Sequence, residues 1–310
     1  MDDLTYCSVV VPIYNEEKNI PELHARLAKV MGSLNKPYEI IYVNDGSVDG
    51  SSGLLGKIAA LDKNVKIVEL SRNFGHQAAV SAGIWYTKGE ATIILDADLQ
   101  DPPALIPEFI KKWQEGYNVV YGIRRKRKES FLKRSCYFIF YRIQEKTAKI
   151  KIPLDAGDFC LIDKKVSDIL KNMPERNRFI RGMRSWVGFS QAGVEYDRDA
   201  RFSGKPKYGF RKLMRLAFDG IYSFSDIPLK MSLIAGFFIS LMCFLFIIYI
   251  VYQRIVHGTS AYGIATIAVS ILFLGGIQLI AIGVIGEYIG RIYDEVKQRP
   301  VFIVKNLINL

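Results

Sequence analysis

Apolar, β-branched residues recur through the first 121 positions in short runs, each closed by polar residues and separated by longer amphipathic stretches. Residues 8–11, 39–43, 65–70, 92–95 and 119–121 read as buried strands. Residues 17–34, 49–61, 75–87 and 104–115 between them suit helices. Such alternation predicts a mostly parallel sheet with helices on both faces. Further on the pattern changes character. Residues 231–252 and 261–286 contain no charged side chain. At about 1.5 Å per residue, each run is long enough to cross a hydrocarbon core of about 30 Å. Two such runs in tandem favour membrane spans over buried core helices, and the short link at 253–260 makes them an antiparallel hairpin. Before them, residues 210–226 mix Arg211, Lys212 and Arg215 with aromatic and aliphatic side chains. That mixture suits a helix in the lipid headgroup layer or a surface helix packed on the globular part.

The chain of 310 residues carries a formal net charge of +11, which implies an anionic partner. Nucleic acid, an anionic membrane surface and phosphorylated substrates all qualify. Arg211, Lys212, Arg215 and Lys230 precede the hairpin and Arg291, Lys297 and Arg299 follow it, whereas the link holds only Arg254 and His257. This asymmetry places the globular part and both termini on the cytoplasmic side of the plasma (inner) membrane. Gly275, Gly276, Gly283 and Gly286 permit close helix packing. With the 301–310 extension, they invite a homo-oligomer. Four cysteines without CxxC spacing and three scattered histidines indicate neither a disulfide framework nor a multi-histidine metal centre. No signal-peptide pattern follows Met1. The expected organisation is a catalytic domain at 1–200, a basic loop with interfacial helices at 201–230, two transmembrane helices at 231–290 and a cytoplasmic tail at 291–310.

Chemistry gathers at the strand ends. Pro12-Ile13-Tyr14-Asn15-Glu16 follows the first strand, Asn44-Asp45-Gly46-Ser47 the second, and Ser71-Arg72-Asn73-Phe74-Gly75 the third. Asp96-Ala97-Asp98-Leu99-Gln100-Asp101 follows the fourth. Open α/β sheets bind ligands outside the carboxyl ends of their strands, so these segments frame a crevice of nucleotide size. Neither GxGxxG nor GxxxxGK[ST] is present, which argues against a dinucleotide site or a P-loop. Two carboxylates and an amide oxygen at Asp96, Asp98 and Gln100 suit a hard divalent cation that also grips phosphate; a solvated acidic turn is the plainer alternative. Asp101, just ahead of Pro102-Pro103, reads as the N-cap of the next helix.

These segments resemble the family 2 inverting glycosyltransferases of the GT-A fold. Further likeness lies in Ala156-Gly157-Asp158-Phe159, in Gly204-Lys205-Pro206-Lys207-Tyr208, in the two spans and in Gly286-Glu287-Tyr288-Ile289-Gly290-Arg291. Together they resemble the polyprenyl-phosphate branch of that family, which includes bactoprenol glucosyltransferases and dolichol-phosphate mannose synthases. The resemblance implies an α/β catalytic domain of GT-A type, Rossmann-like, followed by interfacial helices and the membrane hairpin. It implies transfer of one hexose from a nucleotide sugar, UDP-glucose foremost, to undecaprenyl phosphate, with Mg2+ or Mn2+ as cofactor. The nucleotide would lie against Pro12, Tyr14, Asn15, Glu16, Asp45, Gly46, Ser47, Arg72 and Asp96. Asp98 and Gln100 would hold the metal, with Asp96 on metal or ribose.

Asp158 stands where many relatives place a general base. A lipid phosphate is already ionised at pH 7, however, so Asp158 is expected to orient donor or acceptor rather than abstract a proton. Arg124 and Arg134, from a stretch with seven basic residues in eleven, and Arg201, Lys205 and Lys207 are the expected ligands of the acceptor phosphate. The other basic residues of that stretch suit anionic headgroups. No nucleic-acid partner is expected. His76 reads as an ordinary helix residue and Trp186 as core or a wall of the acceptor site. The segment Arg181-Gly182-Met183-Arg184-Ser185-Trp186 has neither the glutamine nor the spacing of the QxxRW signature of processive synthases, which counts against polymer synthesis. A processive synthase and a non-catalytic, membrane-anchored nucleotide-sugar-binding protein remain the alternatives.

Overall fold

In the computed structural model, residues 5–124, 156–197, 227–257 and 263–310 are described. The five expected strands form as β1 (Cys7–Ile13), β2 (Tyr38–Asn44), β3 (Val65–Leu70), β4 (Ala91–Ile94) and β5 (Val119–Arg124). Helices α1 (Ile20–Ser33), α2 (Ser51–Leu61), α3 (His76–Tyr86) and α4 (Ile106–Gln114) alternate with them. In α1, Ile20, Leu23, Leu27 and Met31 recur every three or four residues and bury one face, and proline near the first position presets the helical φ. Helix α3 is unlike the others: Ala78 through Ile84 are all buried, mostly small residues that let it lie close over β1 and β2.

Among the described residues, the sheet has eight strands in the order β7-β5-β6-β4-β1-β2-β3-β8. Three of them escaped the sequence pattern. Strand β6 (Ala156–Asp163) inserts antiparallel between β4 and β5, and β7 (Gln191–Tyr196) runs parallel to β5 at one edge. Between them lie α5 (Lys164–Asn172) and α6 (Ile180–Trp186). Strand β8 (Val304–Ile308) closes the other edge, antiparallel to β3. The 301–310 segment, expected as part of the C-terminal tail, therefore contributes a strand that pairs with its own chain. The strand is only five residues, Val-Lys-Asn-Leu-Ile, without the alternation that announces one; β3's unpaired backbone supplies the hydrogen bonds that make it a strand.

Glu39 is almost fully buried at the amino end of the sheet. It accepts hydrogen bonds from the Ser8 hydroxyl (2.5 Å) and the Lys88 amide (2.7 Å) and pairs with the Lys66 ammonium. Removing one partner of a buried pair leaves the other charged and dry. Glu39→Ala is expected to cost about 3 kcal/mol, read as earlier thermal unfolding of the catalytic domain.

Helices α7 (Ile227–His257) and α8 (Ile264–Val296) carry apolar segments at Leu229–Gln253 and Phe273–Val296 that are long enough to cross a membrane and unburied by the rest of the chain. Exposed Phe237, Phe238, Met242, Phe273 and Ile282 would be costly in water, and lipid removes that cost. Helix α8 runs ten residues beyond the uncharged stretch, and its Glu287 and Arg291 pair across one turn at 3.1 Å. The expected interfacial segment at 210–226 lies outside the described residues.

Candidate active site

The carboxyl ends of β1 to β4 meet along one edge. After β1, Asn15 takes a left-handed φ of 53° and ties the first two loops together: its amide donates to Ser47 Oγ (3.0 Å), and its Oδ1 accepts from the Val48 amide (2.9 Å). The Glu16 amide donates to Ser51 Oγ (3.1 Å), and its carboxylate accepts from Asn19 Nδ2 (2.6 Å). Tyr14 is exposed on this edge, while Pro12 is buried within β1. Asn44 Oδ1 accepts from the Ser47 amide at 3.0 Å.

Asp45 organises the second and third loops. Its Oδ1 accepts from the Phe74 amide (2.7 Å) and its Oδ2 from the Gly75 amide (3.0 Å). Burial raises its pKa above the usual carboxylate value, against the pull of those amides and of His76 and Arg72. Gly46 has φ +66°, and a Cβ there would sit 2.6 Å from backbone atoms of Arg72 and Asn73. Only glycine allows the two loops to touch. Arg72 is exposed and lies over the Phe74 ring, 4.1 Å from its centroid.

At the fourth strand end, Asp96 Oδ1 meets His76 Nε2 at 2.8 Å. Antiparallel pairing sets Ile94 opposite Cys160, and just beyond that pair Asp158 lies within electrostatic reach of Asp96 and His76. Asp158 Oδ1 accepts from Arg181 Nη2 at 3.2 Å. Burial lowers the pKa of His76, but Asp96, Asp158 and Asp45 outweigh it and raise the value to about 9. Burial likewise opposes the Asp158 carboxylate, and Arg181, His76 and Arg184 overcome it, holding its pKa at about 2. The fully buried Arg184 donates Nη2 to the Gly157 carbonyl (3.1 Å) and faces the Tyr121 ring. Sequence reasoning passed over His76, Arg181 and Arg184 as site residues. Two arginines three apart on one short amphipathic stretch were the signal available for the last two.

Asp98 is 9% exposed, and its Oδ1 accepts from the Gln100 amide at 3.1 Å across the buried, left-handed Leu99 (φ 58°). Among the described residues, no three histidine, cysteine, aspartate or glutamate side chains converge as a ready-made cation cage. Mg2+ usually takes only one or two carboxylates and completes its shell with phosphate and water. The oxygen donors on this turn fit a cation shared with a diphosphate. Asp101 departs from expectation. It is fully buried, receives the Tyr196 hydroxyl, and lies 3.6 Å from Arg124 Nη2, while the following 3-10 turn and α4 are entered without a side-chain cap. A buried carboxylate beside a guanidinium is worth more there than at a solvated helix end. Arg124 is thus held by Asp101 and Tyr196 beside the site. Trp186 is 59% exposed, so it is not core. Arg134, Arg201, Lys205 and Lys207 lie outside the described residues.

Residues 8–170 match the family described as Glycosyl transferase family 2. An uncharacterized glycosyltransferase, YkcC, of Bacillus subtilis (strain 168) is 48% identical over 96% of this chain and 93% of its own length. A second uncharacterized glycosyltransferase, from Synechocystis sp. (strain ATCC 27184 / PCC 6803 / Kazusa), is 48% identical over 97% of this chain and 95% of its own. The bactoprenol glucosyl transferase of Shigella phage SfV is 42% identical over 96% of this chain and 98% of its own.

Proposed function

This chain belongs to glycosyl transferase family 2, and from that premise we propose that it transfers a single hexose, with inversion, from a nucleotide sugar to a polyprenyl phosphate. UDP-glucose is the proposed donor and undecaprenyl phosphate the proposed acceptor, with the catalytic domain and both termini on the cytoplasmic face. The product would be a lipid-linked sugar for modifying cell-envelope glycans. One observation carries the reading: Asp45, Asp96 and Asp158 converge with His76 and Arg181 on one sheet edge, in a chain that also holds two membrane-length helices. The name of the phage relative supports the acceptor and the sugar.

The residues suit a phosphate nucleophile. Asp158, held at about pKa 2, is a poor proton acceptor at neutral pH, and an ionised phosphate needs none. Its role is positional: paired with Arg181, it fixes one wall of the site where the reacting groups must align. His76, charged at neutral pH, balances Asp96 and Asp158. Asp45 keeps the 71–75 loop against the nucleotide crevice, and each of its oxygens retains a second lone pair for a base N–H. Asp98 and Gln100, with Asp96, would hold Mg2+ or Mn2+, which when bound stabilises the charge developing on the departing nucleoside diphosphate. Arg124, Arg134, Arg201, Lys205 and Lys207 are proposed to draw in the acceptor phosphate.

The test is the purified full-length protein in detergent with undecaprenyl phosphate and a panel of radiolabelled nucleotide sugars. Label from UDP-glucose is expected in the organic-extractable lipid, to vanish with EDTA and to return with Mg2+ or Mn2+. Label that stays aqueous supports the binding-protein alternative, and label in insoluble polymer supports a processive synthase.

A further inference from the structure

The C-terminal end of α8 is fastened to the catalytic domain at a point that leads straight to Asp158. Glu295, in the last turn of α8, accepts hydrogen bonds from two consecutive backbone amides. Its Oε1 takes Arg176 N (2.8 Å) and Asn177 N (3.3 Å), and its Oε2 takes Arg176 N (3.1 Å). Successive amides aimed at one carboxylate form an anion nest. Four residues beyond Asn177 stands Arg181, whose guanidinium holds Asp158, and Arg184 of the same helix holds the Gly157 carbonyl. At the start of α6, the Ile180 amide donates to Gln77 Oε1 (2.8 Å), and Gln77 lies against His76 (3.3 Å). The segment fixed by Glu295 therefore touches both sides of the site.

A second contact holds α8 in place. The Ile303 carbonyl accepts from the Ser71 amide (2.9 Å), β8 pairs with β3, and Phe302 and Val304 pack on the apolar cluster beneath α3. With the strand clamped on one side, the carboxylate of Glu295 can act on the loop at 173–179 without the helix end drifting away.

We infer that Glu295 is a positioning residue that couples the membrane hairpin to the catalytic site by holding the 176–177 amides and, through α6, the Arg181–Asp158 pair. The kinetic part of this inference rests on the transfer reaction proposed above; the structural part does not. The test compares full-length wild type, Glu295→Ala and Glu295→Gln in detergent by hydrogen exchange and by kinetics. In Glu295→Ala, amides of residues 174–186 are expected to exchange about tenfold faster while the central strands keep their protection. The kcat for lipid transfer is expected to fall about tenfold with the donor KM unchanged. In Glu295→Gln, the amide oxygen keeps the two hydrogen bonds that Oε1 accepts from Arg176 N and Asn177 N and only the longer branch from Arg176 N to Oε2 is lost, so both readouts are expected within about threefold of wild type. Unchanged exchange over 174–186 in Glu295→Ala, or a uniform rise across the whole sheet, overturns the inference. So does full kcat alongside a loosened loop. A wild type that transfers no sugar sinks the proposed function instead, while the exchange measurement still reads the tether.

Discussion

Asp158→Asn is expected to lower kcat for sugar transfer by about 100-fold while the donor KM changes little, because it removes a preorganised charge and not a contact made equally with bound substrate. The carboxylate faces Arg181 at 3.2 Å and is further supported by His76 and Arg184. Asparagine keeps the shape but leaves those cations without one negative partner, so Arg181 is no longer held in one fixed place in the site. The pH profile separates this role from that of a base. A general base gives wild-type activity an acid limb near its pKa, whereas Asp158 at about pKa 2 gives none in the range where the enzyme is folded. The same shift acts on stability. The folded value lies below the 3.8 usual for an aspartate, so the pair's contribution is present above about pH 4 and is lost as pH falls toward 2. An Asp158→Asn enzyme with wild-type kcat, or a wild-type acid limb that disappears in the variant, would show that the role is misassigned.

Gly46→Ala is expected to damage both stability and donor binding. At φ +66°, a side chain is strained, and here the added methyl also meets the backbone of Arg72 and Asn73 at 2.6 Å. Backbone cannot rotate aside as a flexible side chain can. Strain and overpacking together should cost about 3 kcal/mol, seen as a fall in melting temperature of about 6–10 °C. The larger consequence is local. Relief comes by moving the 71–75 loop outward, which stretches the bonds from the Phe74 and Gly75 amides to Asp45. Nucleotide affinity, measured by calorimetry with UDP, should fall about tenfold or more. A variant that unfolds at the wild-type temperature and binds nucleotide normally would mean that the loops do not close on each other as described.

The histidine at the start of α3 shows how a residue changes meaning when its neighbours arrive. In the sequence, His76 is one polar residue at the head of an apolar helix and reads as an ordinary helix residue, packed or facing solvent. In the fold, it stands between carboxylates that come from β2, β4 and β6, and it is charged at neutral pH for that reason. Asp101 changed in the opposite direction. Its place before two prolines suggested a helix cap, yet Tyr196, 95 residues further on, and Arg124 draw it into the interior.

What the sequence determined by itself was everything written in local periodicity and punctuation. The five strands that alternate with helices, the polar loops that close four of them and the two uncharged membrane-length runs are each encoded within about 30 consecutive residues. Hydrophobic pattern and chain breakers act at that range. The tertiary structure alone decided what depends on distant backbone meeting. Strand β6 exists because β4 and β5 leave a gap that an antiparallel segment fills, and that pairing brings Asp158 within electrostatic reach of Asp96, 62 positions apart in the chain. Strand β8 exists because β3 offers an open edge, and Glu295 matters because two amides 118 and 119 positions away point at it. Hydrogen-bond partners and opposing charges of this kind leave no periodic trace in a sequence, since the energy that selects them belongs to the pair and appears only on folding.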